Sequence, residues 1–89
     1  MQMNQPFELV LGEETDDRLL QALRSAVTLM SGTIVESSYG VGGSQELIEY
    51  TITLPTGVVQ LTSETYMGLT LRGPQPLVQS LAEAVHRQS

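Results

Sequence analysis

The chain has no cysteine, no tryptophan and no lysine, and a single phenylalanine and a single histidine among its 89 residues. The missing cysteine excludes disulfides, thiolate nucleophiles, zinc–thiolate sites and iron–sulfur clusters. The missing lysine removes both the phosphate-cradling residue of a P-loop and a Schiff-base amine. Nowhere does the sequence approach the ~20 consecutive apolar residues that a membrane-spanning helix needs. These absences imply no cofactor and no membrane contact.

Positive charge is scarce. Arg18, Arg24, Arg72 and Arg87 face ten acidic residues, giving a formal charge of −6. No basic residue lies between Ser25 and Leu71, so the middle of the chain repels a phosphate backbone. Nucleic-acid binding is disfavoured on that ground, because its affinity comes largely from Arg and Lys neutralising phosphates. The same field steers a basic protein surface toward the chain. Apolar residues make up 40% and charged residues 16% of the sequence, the balance of a globular domain rather than an acidic tail. A chain this short buries roughly 60 to 65% of its unfolded surface, which supports one core and predicts a single domain over 1–89. Met1 to Gln5 show neither a positive n-region nor an apolar h-region, so the expected location is cytoplasmic.

What the chain does have is alternation. From Thr33 to Leu71 apolar and polar residues alternate at period two, flanked by two segments of helical periodicity. Phe7 to Leu11 reads as a first strand stopped by Gly12. The acidic turn Glu13 to Asp17 opens a helix with Thr15 or Asp16 as cap, and Leu20, Leu23, Val27 and Met30 form its buried stripe. Ser31-Gly32 ends it, with glycine expected in the left-handed position. Strands follow at Thr33 to Tyr39, Glu46 to Leu54, Val58 to Thr62 and Tyr66 to Arg72. The segment Gly73-Pro74-Gln75-Pro76 starts a last helix striped by Leu77, Leu81 and Val85. The order β-α-β-β-β-β-α predicts an α+β two-layer sandwich, a mostly antiparallel five-stranded sheet with two helices on one face.

With Tyr39 set opposite Glu46, the register turns Val35, Ser37, Tyr39, Ile48, Tyr50, Ile52 and Leu54 toward the core. Ile34, Glu36, Ser38, Leu47, Glu49, Thr51 and Thr53 then share the outer face. Leu54 is expected opposite Val59, and Met67, Leu69 and Leu71 are expected inside.

Several groups invite a chemical reading. Gly40-Val41-Gly42-Gly43-Ser44 resembles a phosphate loop in composition, but it joins strand to strand rather than strand to helix, so it reads as a hairpin loop able to touch a partner. Glu36 and Glu49, opposite one another in the register above, form a candidate site for a divalent cation. His86 in the last helical turn reads as a structural or solvent-exposed residue that complements the helix dipole.

Function follows at a coarse level. The chain reads as a small, acidic, non-catalytic protein-interaction module, either self-associating as a homodimer or acting as adaptor or inhibitor of a basic partner. Ile34, Leu47, Thr51, Thr53, Val58, Gly42 and Gly43 are the candidate contact residues. The alternative is a small metal- or ligand-binding protein, or an enzyme component, that uses Glu36 and Glu49.

Overall fold

A computed structural model describes residues 6–43 and 45–88. The elements in order are Phe7–Gly12 (β1), Asp17–Leu29 (α1), Thr33–Gly42 (β2), Gln45–Leu54 (β3), Gly57–Glu64 (β4), Gly68–Gly73 (β5) and Gln75–Gln88 (α2). The expected element order is observed. All four strand pairings are antiparallel, and the sheet runs β1-β5-β4-β3-β2. Strands β2 to β5 form a meander of neighbours, while α1 carries the chain from β1 at one edge to β2 at the other.

Both helices lie on the same face, and one core fills the space between the layers. Leu23, Ala26 and Val27 of α1 and Val78, Leu81 and Val85 of α2 meet Ile52, Val59, Leu61, Leu69 and Leu71 of the sheet. The largest of these side chains are wholly shielded from water, each worth roughly 1.5–3 kcal/mol of hydrophobic stabilisation. The molecule measures 37 × 37 × 19 Å, the thin dimension of two packed layers.

Asp16 caps α1, its Oδ1 accepting the Leu19 N–H at 3.2 Å. At the other end Ser31 N–H donates to Thr28 O and Gly32 N–H to Val27 O, the paired bonds of a Schellman motif. The left-handed residue there is Ser31 (φ 60°), not the expected glycine. Gly32 answers a different need: a Cβ at that position would meet Leu54 Cδ2 and Thr53 O at 2.7 Å.

Strand register departs from expectation in four places. First, Tyr39 lies opposite Ile48 rather than Glu46, because β2 extends to Gly42 and β3 begins at Gln45. Second, the ladder is offset between Glu36 and Ser38, leaving Ser37 as an extra residue. The parity expected for β2 therefore holds after Ser37 and is inverted before it. Ile34 pairs with Ile52 and packs against the core, while Val35 pairs with Thr51 and is exposed. Third, Leu54 pairs with Gly57 across Pro55-Thr56, and Ile52 with Val59, a shift of two residues that preserves which side chains point inward. Fourth, Met67 is 62% exposed in the turn Thr65-Tyr66-Met67, since β5 begins only at Gly68.

Candidate interaction surface

With both helices on one side, the opposite face of the sheet is bare. Val35, Thr51, Gln60, Arg72 and Glu8 cross all five strands in one row, and Ser38, Glu49, Thr62, Thr70 and Val10 form the next. Thr33, Thr53 and Val58 stand in line at one end, and Leu47 pairs with Glu64 toward the other. The four large apolar side chains on this face are far more exposed than the core: Val10 63%, Val35 62%, Val58 45% and Leu47 38%. Threonine and valine suit a pleated surface, so the residues that make the strands also make a smooth, weakly polar plane.

The electrostatics of the plane are quiet. Arg72 Nε lies 3.8 Å from Glu8 Oε2, and the Glu49 carboxylate accepts a 2.8 Å bond from the Ser38 hydroxyl. Thr51 donates to Gln60 Oε1 at 3.4 Å. Most of the negative charge lies elsewhere, on the turn Glu13 to Asp17, on the hairpin residues Glu36 and Glu46, and on Glu83 of α2, which is 3.7 Å from Arg87.

The proposed contact residues divide accordingly. Leu47, Thr51, Thr53 and Val58 lie on the bare face; Ile34 does not, because the extra residue in β2 turns it inward and sets Val35 in its place. Gly42 ends β2 opposite Gln45, and Gly43 takes a left-handed φ of 62° in the turn. Ser44 lies outside the described residues, as does the segment Met1 to Gln5.

The carboxylate pair is corrected as well. Glu36 is opposite Tyr50 on the inner side of the sheet, and Glu49 is opposite Ser38 on the bare side, so the two do not face each other. The extra residue at Ser37 causes the separation, its hydroxyl donating to the Glu49 carbonyl at 3.1 Å. Among the described residues no group of three or more His, Asp or Glu is placed to hold a metal ion. His86 is exposed in the last turn of α2.

At the far end of the sheet the turns are tied together. The Thr65 N–H donates to Glu46 O at 3.0 Å and the Glu46 N–H to Thr65 Oγ1 at 2.9 Å, while the Tyr66 N–H reaches Glu14 Oε2 at 3.1 Å. Val10, Glu13, Glu14, Tyr66 and Met67 line an open cleft at that corner. Among the described residues no helix is long and apolar enough to cross a membrane. Comparison of the chain with protein-family models, curated proteins and solved structures finds no match.

Proposed function

We propose that this chain is a protein-interaction module, not an enzyme, and that the bare sheet face is its contact surface. The observation that carries the reading is the one-sidedness of the fold. Every core residue lies between the sheet and the helices, yet Val10, Val35, Leu47 and Val58 stand exposed on the opposite side among threonines. Exposed apolar side chains that share one sheet face are a surface that can mark a protein contact. Threonines and valines outnumber the charged residues Glu8, Glu49, Glu64 and Arg72 on this face, and a low share of charge fits the anatomy of such an interface.

The test uses the immobilised full chain with Val35 and Val58 replaced by lysine, beside a control bearing Ser25→Lys on the exposed surface of α1. The wild type and the control should retain polypeptides, further copies of the chain included, that the face variant does not retain. Equal recovery by all three proteins sinks the reading. Matching far-ultraviolet circular dichroism establishes that each variant is folded.

A further inference from the structure

Resting on that reading, we infer that the partner seated on the bare face is a second copy of this chain, so that two sheets meet and close an α-β-β-α sandwich. Charge, size and shape each support a copy over a basic protein.

Charge comes first. Glu8, Glu49 and Glu64 against Arg72 place a net of two negative charges on this face, and the other four of the net six lie elsewhere. Glu8 is neighboured by Arg72, which leaves Glu49, beside Thr62 in a middle row, and Glu64, at the end where Leu47 stands, as the uncompensated pair. Two copies that meet through Thr51, Gln60, Thr62 and Thr70 therefore bring in Glu49 but keep most of their acidic residues, on the α1 turn and on Glu36, Glu46 and Glu83, clear of the contact. A basic partner would find most of its counter-charge on the α1 turn and on Glu36 and Glu46, away from this plane.

Size agrees. Five strands ~4.8 Å apart, averaging about eight residues at ~3.3 Å each, span roughly 24 by 26 Å, or about 600 Å² in projection. Side-chain relief brings the accessible area toward the ~800 Å² per partner of a standard interface. An occupant that uses all of it must itself be flat and of similar extent.

Shape gives the third argument. Stacked sheets pack about 10 Å apart with their inner side chains interleaved, and a two-fold axis makes the same patch serve both copies. Valines at the β1 and β2 edges and on β4 supply the apolar contact, and the threonine hydroxyls can donate and accept across the plane. Because the contact rests on apolar side chains and hydroxyls more than on ion pairs, added salt does not dissolve it.

Sedimentation equilibrium of the full chain over a wide concentration range, at low and high salt, tests the inference. A monomer–dimer equilibrium that persists in high salt is expected, with methyl-to-methyl contacts between Val35, Leu47 and Val58 of differently isotope-labelled copies in NMR. Val35→Lys with Val58→Lys should weaken the dimer by roughly 30-fold or more, the effect of replacing two apolar contacts with unpaired charges. Thr51→Lys is a second face variant that should act in the same direction, while Ser25→Lys should leave the equilibrium unchanged. A chain that stays monomeric throughout, or a dimer indifferent to all the face variants, overturns the inference. In the monomeric case, retention of a different polypeptide through the same face would leave the interaction reading standing with another occupant.

Discussion

The Tyr39 phenol donates a 2.9 Å hydrogen bond to Glu46 Oε2, although the residue directly opposite Tyr39 in the ladder is Ile48. The bond runs diagonally, a reach that long side chains on one face of an antiparallel pair can make. It fastens the outer part of the β2–β3 hairpin on the inner side of the sheet.

The bond raises the Tyr39 pKa above its ordinary 10.0, first through the hydrogen bond to Glu46, then through local desolvation and the negative charges of Glu46 and Glu36. The folded chain thus favours the neutral phenol. Its contribution to stability is fully present below pH 10.0 and is lost as pH climbs through the raised value. Glu46→Gln keeps an oxygen acceptor but removes the charge, so Tyr39 should titrate earlier, and Glu46→Ala should move it further in the same direction. Carbon-13 NMR of the tyrosine rings resolves Tyr39 from Tyr50 and Tyr66. Identical Tyr39 titrations in all three proteins would show that Glu46 is not the cause.

The extra residue at Ser37 makes a sharper claim about neighbouring side chains. Ile34→Ala should cost about 2 kcal/mol, because Ile34 is half-buried against the core beside Ile52. Val35→Ala should stay within about 0.5 kcal/mol, as surface substitutions generally do. Urea unfolding at protein concentrations too low for association separates the two effects. The reverse ranking would mean that β2 runs without an irregularity.

That same pair of residues marks the limit of what could be read from the chain. In β3 the alternation of Ile48, Tyr50, Ile52 and Leu54 with Leu47, Glu49, Thr51 and Thr53 is clean enough to set the face, and in β4 Val59 and Leu61 survived a two-residue slip. In β2 the adjacent Ile34-Val35 offers an apolar side chain to either face, and Glu36-Ser37-Ser38 contains no apolar marker to reveal an added residue. The Glu36–Glu49 site depended on that missing information and went with it. Strand order was equally hidden, because the place of β1 depends on how α1 crosses the sheet. The bare plane was legible, since threonines at alternate positions of β3 had to face away from the core.

Two non-glycine residues hold a left-handed backbone among the described residues, Ser31 (φ 60°) and Tyr66 (φ 70°). That conformation costs an L-residue roughly 1–2 kcal/mol, part of which glycine gives back as unfolded-state entropy. Ser31→Gly and Tyr66→Gly should each raise stability by about 0.5–1 kcal/mol, the second despite the loss of a ring that packs against little. The sites lie at opposite ends of the sheet, so the double variant should show the sum. Thermal and urea unfolding measure it. A loss of stability at either site would mean that its side chain contributes more than the strain costs.

Gly68 bears on both the fold and the proposed surface. Its φ is 91°, and a Cβ there would press on the Gly12 carbonyl oxygen at the seam between β5 and β1. Gly68→Ala combines an unfavourable backbone with a clash against main chain that has no flexible end to yield, and should cost about 2–4 kcal/mol. Gly40→Ala is the control, because nothing lies within 4 Å of a Cβ at that position. The damage should be local to the β1 edge, where Val10 and Glu8 stand on the bare face, so hydrogen exchange of the β1 amides should accelerate more than that of β3. If the sheet faces of two copies do meet, loosening β1 also removes one valine of the contact, and Gly68→Ala should weaken the dimer. Equal stability and equal β1 protection in the two alanine variants would show that the close approach of Gly68 to Gly12 does not hold β1 in place.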